Sequence, residues 1–341
     1  PSISHCTTGN NDGTLTASLS GGSTYGLSNV YFYKVVRDLT QIGKASLSNY
    51  KTTGNVQFDA LTSTITAENL EPGVYLLRVL DGQYYSTNNT MLAFDKYILI
   101  GREGEVTSGI LLPNNSYQEN VAIQKDKPTN TTPLDRANTN YSSPNSILRV
   151  AAAPNVYEFA SLIKYNLFFD DGLEFSKADL KIDAYTKFYR GSSSSNETNF
   201  TLLTSPWEVE TVTWNTRPSN DPSVQVTVPA TTTIGWEETH KSDLVSLLPF
   251  VEYWQANPNS NYGFEIALSD YDVSQYARRS YKVASTNFNF VEFEFSVKSP
   301  VSATFNDETN TGTLTVNSPS GTLPYTYLID TEPLGSLVDV W

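Results

Sequence analysis

Apolar residues in this chain recur at every second position and almost nowhere at every third or fourth. The run FSKADLKIDAYTKFY (residues 175–189) shows the rule, with Leu180, Ile182 and Ala184 on one side of an extended backbone. A helical period is legible at one place, residues 242–255, where a single helix is predicted. Thr, Val and Tyr suit a pleated, half-buried surface, and frequent Gly, Pro, Ser and Asn break the runs into short pieces. The predicted fold class is all-β. At 341 residues the chain is long for one core, so two or three domains are expected.

Two stretches near the ends match each other: NDGTLTASLSGGS (residues 11–23) and NTGTLTVNSPSGT (residues 310–322). Each reads as the opening hairpin of one domain type. In the first copy FDALTSTITAENLEPGVYLLRVLDGQ (residues 58–83) follows, with a turn at Pro72-Gly73, a strand VYLLRVL and a close at Asp81-Gly82. GTLPYTY (residues 321–327) and LEPGVYLLRVLD (residues 70–81) resemble the two motifs of the SprB-type repeats of Bacteroidetes gliding and surface adhesins. The resemblance implies immunoglobulin-like β-sandwich modules at residues 1–104 and, incomplete, at 300–341. The first copy lacks Pro-Tyr before its second strand and has an insertion around residues 38–56. A half sandwich at 300–341 exposes strand edges, so the native protein is expected to continue beyond it.

Between these copies lies SPWEVETVTWNTRPS (residues 205–219), with Trp207 and Trp214 seven apart. On a regular strand that spacing sends the two rings to opposite faces. A turn between Pro206 and the exit at residues 215–218 lets both reach one core, and both are expected to pack rather than to form a sugar platform. This segment and residues 138–141, 148–150, 162–167, 177–182 and 251–264 fall in the order of the motifs of the DNRLRE, or disaggregatase-related, domain, which they resemble. Ser142 stands where that family has Gly, and Lys164-Tyr165 where it has Arg-Phe. The resemblance implies a jelly-roll β-sandwich over residues 105–299, of a kind grouped among carbohydrate-binding modules.

A formal charge of −14 opposes nucleic acid as a partner, and no run of eighteen apolar residues offers a membrane-spanning helix. The chain begins at Pro1 without Met or a signal peptide and reads as a mature or excised piece. Cys6 is the single cysteine, so no intrachain disulfide forms. Two histidines exclude a histidine-rich metal site and suggest no Ser-His-Asp arrangement, and the chain is read as a non-enzyme.

The residues chosen for ligand contact form two basic groups. SDYDVSQYARRSYK (residues 269–282), read as a loop, offers Tyr276, Arg278, Arg279, Tyr281 and Lys282. The leading segment of the central module offers Lys125, Lys127 and Arg136. Arginine forks match carboxylates and tyrosine faces match sugar C–H groups, so the expected ligand is an anionic extracellular polysaccharide. The bland alternative is solvated surface charge. Asp170, Asp171, Asp270 and Asp272 stand in oxygen-rich stretches that suit structural calcium, although without EF-hand spacing.

The resemblances imply a fragment of a large secreted or cell-surface bacterial adhesin, with neighbouring repeats of the same chain as its structural partners. A ligand-free stalk, and an accessory region of a polysaccharide-degrading enzyme, are the alternatives.

Overall fold

A computed structural model describes residues 2–18, 29–37, 45–49, 56–59, 63–85, 91–111, 118–126, 136–140, 147–184, 194–230, 241–257, 259–274, 276–282, 290–298, 301–306 and 311–316. The fold is all-β, in antiparallel sheets, with one α-helix among the described residues. By contact density the chain divides into Pro1–Ser299 and Pro300–Trp341. In the second unit β20 (Val301–Asn306) and β21 (Thr311–Val316) pair as an antiparallel hairpin. The rest of that copy, including residues 321–327, lies outside the described residues.

The first unit starts with two four-stranded sheets. One has the order β1 (Ser2–Ser4), β2 (Gly13–Ser18), β6 (Thr64–Leu70), β5 (Val56–Asp59). The other has β4 (Ala45–Asn49), β3 (Asn29–Arg37), β7 (Gly73–Tyr85), β8 (Met91–Ile100). Alternation puts Leu15 and Ala17 of β2 and Ile65 and Ala67 of β6 inside, against Phe32, Tyr75, Leu77, Ile98 and Ile100 of the second sheet. Cys6 is buried in the same cluster, its thiol donating to Leu70 O at 3.0 Å.

The second sheet is buried on both faces. Val74, Leu76, Tyr97 and Leu99, the alternate residues of β7 and β8, join a second core shared with the rest of the unit. That is why residues 74–77, VYLL, are a continuous apolar run rather than an alternating one.

The rest of the unit is an eleven-stranded antiparallel arrangement. Its main path runs β15 (Asn220–Val228), β14 (Thr198–Leu203), β17 (Phe264–Leu268), β12 (Tyr157–Tyr165), β11 (Ile147–Ala153), β18 (Ala277–Lys282), β13 (Leu173–Ala184), β19 (Phe290–Val297), β9 (Thr107–Leu111). β10 (Gln118–Asp126) pairs with β12, and β16 (Lys241–Ser246) with β13. Phe200, Phe264 and Ile266 on one side meet Leu180, Tyr281 and Phe293 on the other, so the path folds over on itself as a sandwich around one core.

Two expectations change here. The helical period at 242–255 resolves into β16 and a short helix α1 (Leu248–Ala256), which starts with Pro249 in its first turn. Val245, Leu247, Phe250, Val251 and Trp254 are buried throughout, but the first part is held extended by its ladder to β13, from Leu180↔Val245 to Ala184↔Lys241. The stretch before Lys282, read as a loop, contains the strand β18, whose register to β11 runs from Ala277↔Ala152 to Lys282↔Ile147.

The strands on either side of residue 104 belong to different sheets, yet they are tightly joined. Tyr97 N donates to Asn166 O and Phe168 N to Tyr97 O, each at 3.0 Å. β9 lies so close to β7 that a Cβ at Gly109 would stand 2.3 Å from Val74 Cγ2, an approach open only to glycine.

Candidate functional site

Four strands, β10, β12, β11 and β18, bring the site together. Their registers align Gln124↔Phe159, Ala151↔Phe159 and Ala151↔Arg278, so these side chains share one face, with Asp126↔Tyr157 and Ala153↔Tyr157 one step along. Alanine at 151 and 153 leaves the middle of the strip low between larger neighbours.

Tyr157 is at its centre. Its ring makes edge contacts with Phe159 (5.2 Å between centroids) and Tyr276 (6.3 Å). Burial pushes its hydroxyl well above the ordinary tyrosine range, and the hydrogen bond with Tyr276 pushes the same way; the charges of Arg278 and Arg136 pull against both. Arg136, from a single 3-10 turn at Arg136–Asn138, is held by Asp126 at 3.1 Å. Among the described residues the Arg278 side chain donates only through Nε, to Ser280 Oγ at 2.9 Å, which leaves its terminal nitrogens for a further partner. Exposed Arg149 lies over the Phe159 ring at 5.8 Å.

Three half-buried groups from the sequence reading, Tyr276, Arg278 and Arg136, therefore converge, though the two segments are far apart in the chain. Others do not join them. Arg279 is buried, doubly bonded to Asp243 (Nε–Oδ2 2.8 Å, Nη2–Oδ1 2.7 Å) and donating to Pro229 O at 2.8 Å. Tyr281 is fully buried with its ring 5.8 Å from Phe200. Both expectations are corrected by the alternation of β18, which turns Ala277, Arg279 and Tyr281 inward and Arg278 outward. Lys125 points away from Tyr157, bonded to Glu158 at 2.8 Å and 5.0 Å over the Trp214 ring. Lys282 ends β18, but its side chain lies outside the described ones, as does the whole of Lys127.

The aspartates lie apart from this face. Asp170 Oδ1 accepts from Gly172 N at 2.7 Å and stands 3.9 Å from His5 Nε2, while Asp171 O accepts from Lys298. Asp270 and Asp272 are exposed, joined by a backbone bond to Asp270 Oδ1. Among the described residues no three His, Cys, Asp or Glu side chains gather as a metal site.

The tryptophan segment backs the sheet on the side where Lys125 points. A turn at residues 208–211 brings both rings into one cluster with Val121, Ile123, Ala160 and Leu162. Trp207 Nε1 donates to Tyr262 O at 2.8 Å, and Asn140 holds the turn by donating to Val209 O and Val212 O. Trp214 is covered by Lys125, by Arg217 at 4.8 Å and by the edge of Tyr271. These rings are packed as scaffold, and no face is left as a platform.

Beneath them Glu265 is buried, receiving Asn220 Nδ2 at 2.7 Å, with Arg217 at 3.7 Å. Burial raises its pKa more than Arg217 and Asn220 lower it. A carboxyl with a raised folded pKa lends its stability below the ordinary glutamate value and loses it as pH rises through the folded value. Glu265→Gln is therefore expected to melt a few degrees above the parent at pH 7, with the gain shrinking toward pH 4. Thermal scans across that range check it; a variant that melts lower at pH 7 would show that the Arg217 contact outweighs burial.

The class this geometry defines is an antiparallel β-sandwich. The model of carbohydrate-binding module family 96 matches residues 121–246, a stretch holding Arg136, Arg149, Tyr157 and Phe159. That match supports a carbohydrate-binding domain, a binding rather than a catalytic module. No curated protein matches the chain.

The sequence reading missed Tyr157, Phe159 and Arg149. The available signal was the aromatic alternation Tyr-x-Phe directly after the turn at Pro154-Asn155, where Asn155 takes a φ of 58°.

Proposed function

We propose that the face around Tyr157 holds an anionic polysaccharide, and that the chain is a piece of a large secreted or cell-surface bacterial adhesin. In this reading the central module is of the DNRLRE jelly-roll type, and the flanking copies are immunoglobulin-like SprB-type repeats. The observation that carries the ligand reading is the meeting of half-buried Tyr157 and Tyr276 with Arg136 and Arg278 on one face, with buried Phe159 packed behind Tyr157 as support. Aromatic rings accept the apolar side of a sugar, and a guanidinium with unused nitrogens accepts a uronate carboxylate. The family match over 121–246 supports the carbohydrate half of this reading. Adhesin context and extracellular location rest on the repeated NxGTLT hairpins.

Affinity electrophoresis against alginate, pectin and a neutral glucan, with and without calcium, is the test. Retardation by the acidic polymers is expected. Tyr276→Ala/Arg278→Ala should lose it by about tenfold or more, the scale of one charge-assisted contact plus one ring. Equal retardation by the neutral glucan would remove the anionic preference. No retardation by any polymer would leave the ligand-free stalk as the better reading.

A further inference from the structure

The outer face of β11 carries an arginine of its own. Arg149 is exposed and lies over the buried Phe159 ring at 5.8 Å, a contact that steadies the guanidinium without covering it. Directly across the ladder from it stands Ser280. Arg278, two residues earlier on the same face of β18, reaches along the strand to that rung and donates Nε to Ser280 Oγ at 2.9 Å. The register and this one bond therefore bring the two guanidiniums to neighbouring positions on one rung.

Neither guanidinium meets a carboxylate among the described residues, which sets the two apart in this chain. Asp and Glu number 36 against 22 Lys and Arg, and Lys125, Arg136, Lys177 and Arg279 each stand within bonding distance of a carboxylate. Two guanidiniums side by side repel, and an anion between them removes that cost. A carboxylate fits best, because its two oxygens match the planar fork of arginine. Along β11 the same face continues through Ala151 to Ala153, small residues that keep the surface low, and Ala153 pairs with Tyr157. Four steps of the strand separate Arg149 from Ala153, roughly 13 Å at the rise of an extended chain. That length exceeds a single sugar ring and suits a short oligosaccharide laid along the strand.

We propose that Arg149 and Arg278 together grip the carboxylate of one uronate residue, and that the next sugar of the same chain passes over Ala151 to rest against Tyr157 and Tyr276. The proposal rests on the anionic-polysaccharide reading of that face. It adds Arg149 as a contact, the direction of the ligand along β11, and a shortest ligand of more than one sugar. Arg136, held by Asp126, stands at the far end as a neutral pair, so the free positive charge lies at the Arg149 end. The family match ends at residue 246, before β18, so the Arg278 half of the grip comes from outside the matched stretch.

Calorimetric titration of the whole chain with sodium tri-D-galacturonate tests it, with sodium D-galacturonate and neutral maltotriose as comparison probes. The trimer is expected to bind, and the monomer to bind at least about tenfold more weakly because it reaches one end of the strip only. Maltotriose should give no saturable heat. Arg149→Gln should melt as the parent does, the residue being exposed, yet weaken the trimer by about tenfold. Arg149→Lys should fall between, keeping the charge and losing the fork. Arg149→Gln/Arg278→Gln should lose less than the product of the two single losses, as one shared carboxylate requires. Absent trimer binding, a monomer or maltotriose that binds equally well, an unchanged Arg149→Gln, or losses that simply multiply would each overturn the proposal. If acidic polymers still retard the parent in electrophoresis, the wider reading of the face survives that result. A parent that neither binds the trimer nor is retarded by those polymers overturns both.

Discussion

Gly263→Ala is expected to destabilise this chain by several kcal/mol and to lower its melting temperature by about ten degrees or more. Gly263 has a φ of +81°, in the left-handed region where a Cβ costs roughly 1–2 kcal/mol. Space is the larger problem. A Cβ would stand 2.0 Å from Ile163 O and 2.8 Å from Ile163 C and Lys164 Cα, all of them backbone. No rotamer relieves that contact. Moving Ile163 would break its register with Phe264, and moving Gly263 would break the bond that Leu203 N donates to its carbonyl at 3.0 Å. Overpacking of this sort adds about 1–3 kcal/mol or more to the backbone term, a large share of the roughly 5–15 kcal/mol that stabilises a domain. Far-ultraviolet circular dichroism during heating is the measurement. A sharp transition within a degree or two of the parent would show that the β12–β17 contact is looser than described.

Arg279→Ala is expected to lose roughly 3–5 kcal/mol, the usual cost of removing one partner of a buried ion pair. Asp243 would keep its charge with both guanidinium bonds gone, and Pro229 O would lose its donor. Lysine should not substitute, because a point charge cannot reproduce the two-pronged geometry. The double change Arg279→Met/Asp243→Leu should recover much of the loss, since two apolar groups leave no charge unpaired. Urea midpoints for the four proteins measure this. A parent-like midpoint for Arg279→Ala would mean that water reaches Asp243.

The β class was legible because burial on one side of a strand writes itself directly into alternation, as at Leu180 and Ile182. Trp207 and Trp214 were legible as core because Pro206 and the Asn-Thr-Arg-Pro exit announce turns. β18 was not, for a physical reason. Its inward arginine is stabilised by Asp243, 36 positions away, so the local sequence shows two adjacent arginines and nothing that distinguishes the buried one. The same holds for the site. Tyr276 and Arg136 could each be named, but their meeting at Tyr157 depends on β12 pairing with β10 on one edge and β11 on the other. The helix boundary failed similarly, since β16 and α1 are both apolar and the ladder to β13 decides where extension ends.

The doubly buried sheet has a mechanical consequence. A chain under tension yields first at hinges, where few side chains must separate before parts rotate. Here β7 and β8 are gripped on both faces, Gly109 lets β9 sit flush on Val74, and the bonds of Tyr97 cross the joint. Bending at residue 104 would mean shearing this packed layer as a whole, so the joint is stiff. If a polymer is held at the Tyr157 face as proposed, its drag would pass into the first two sheets as shear across this joint.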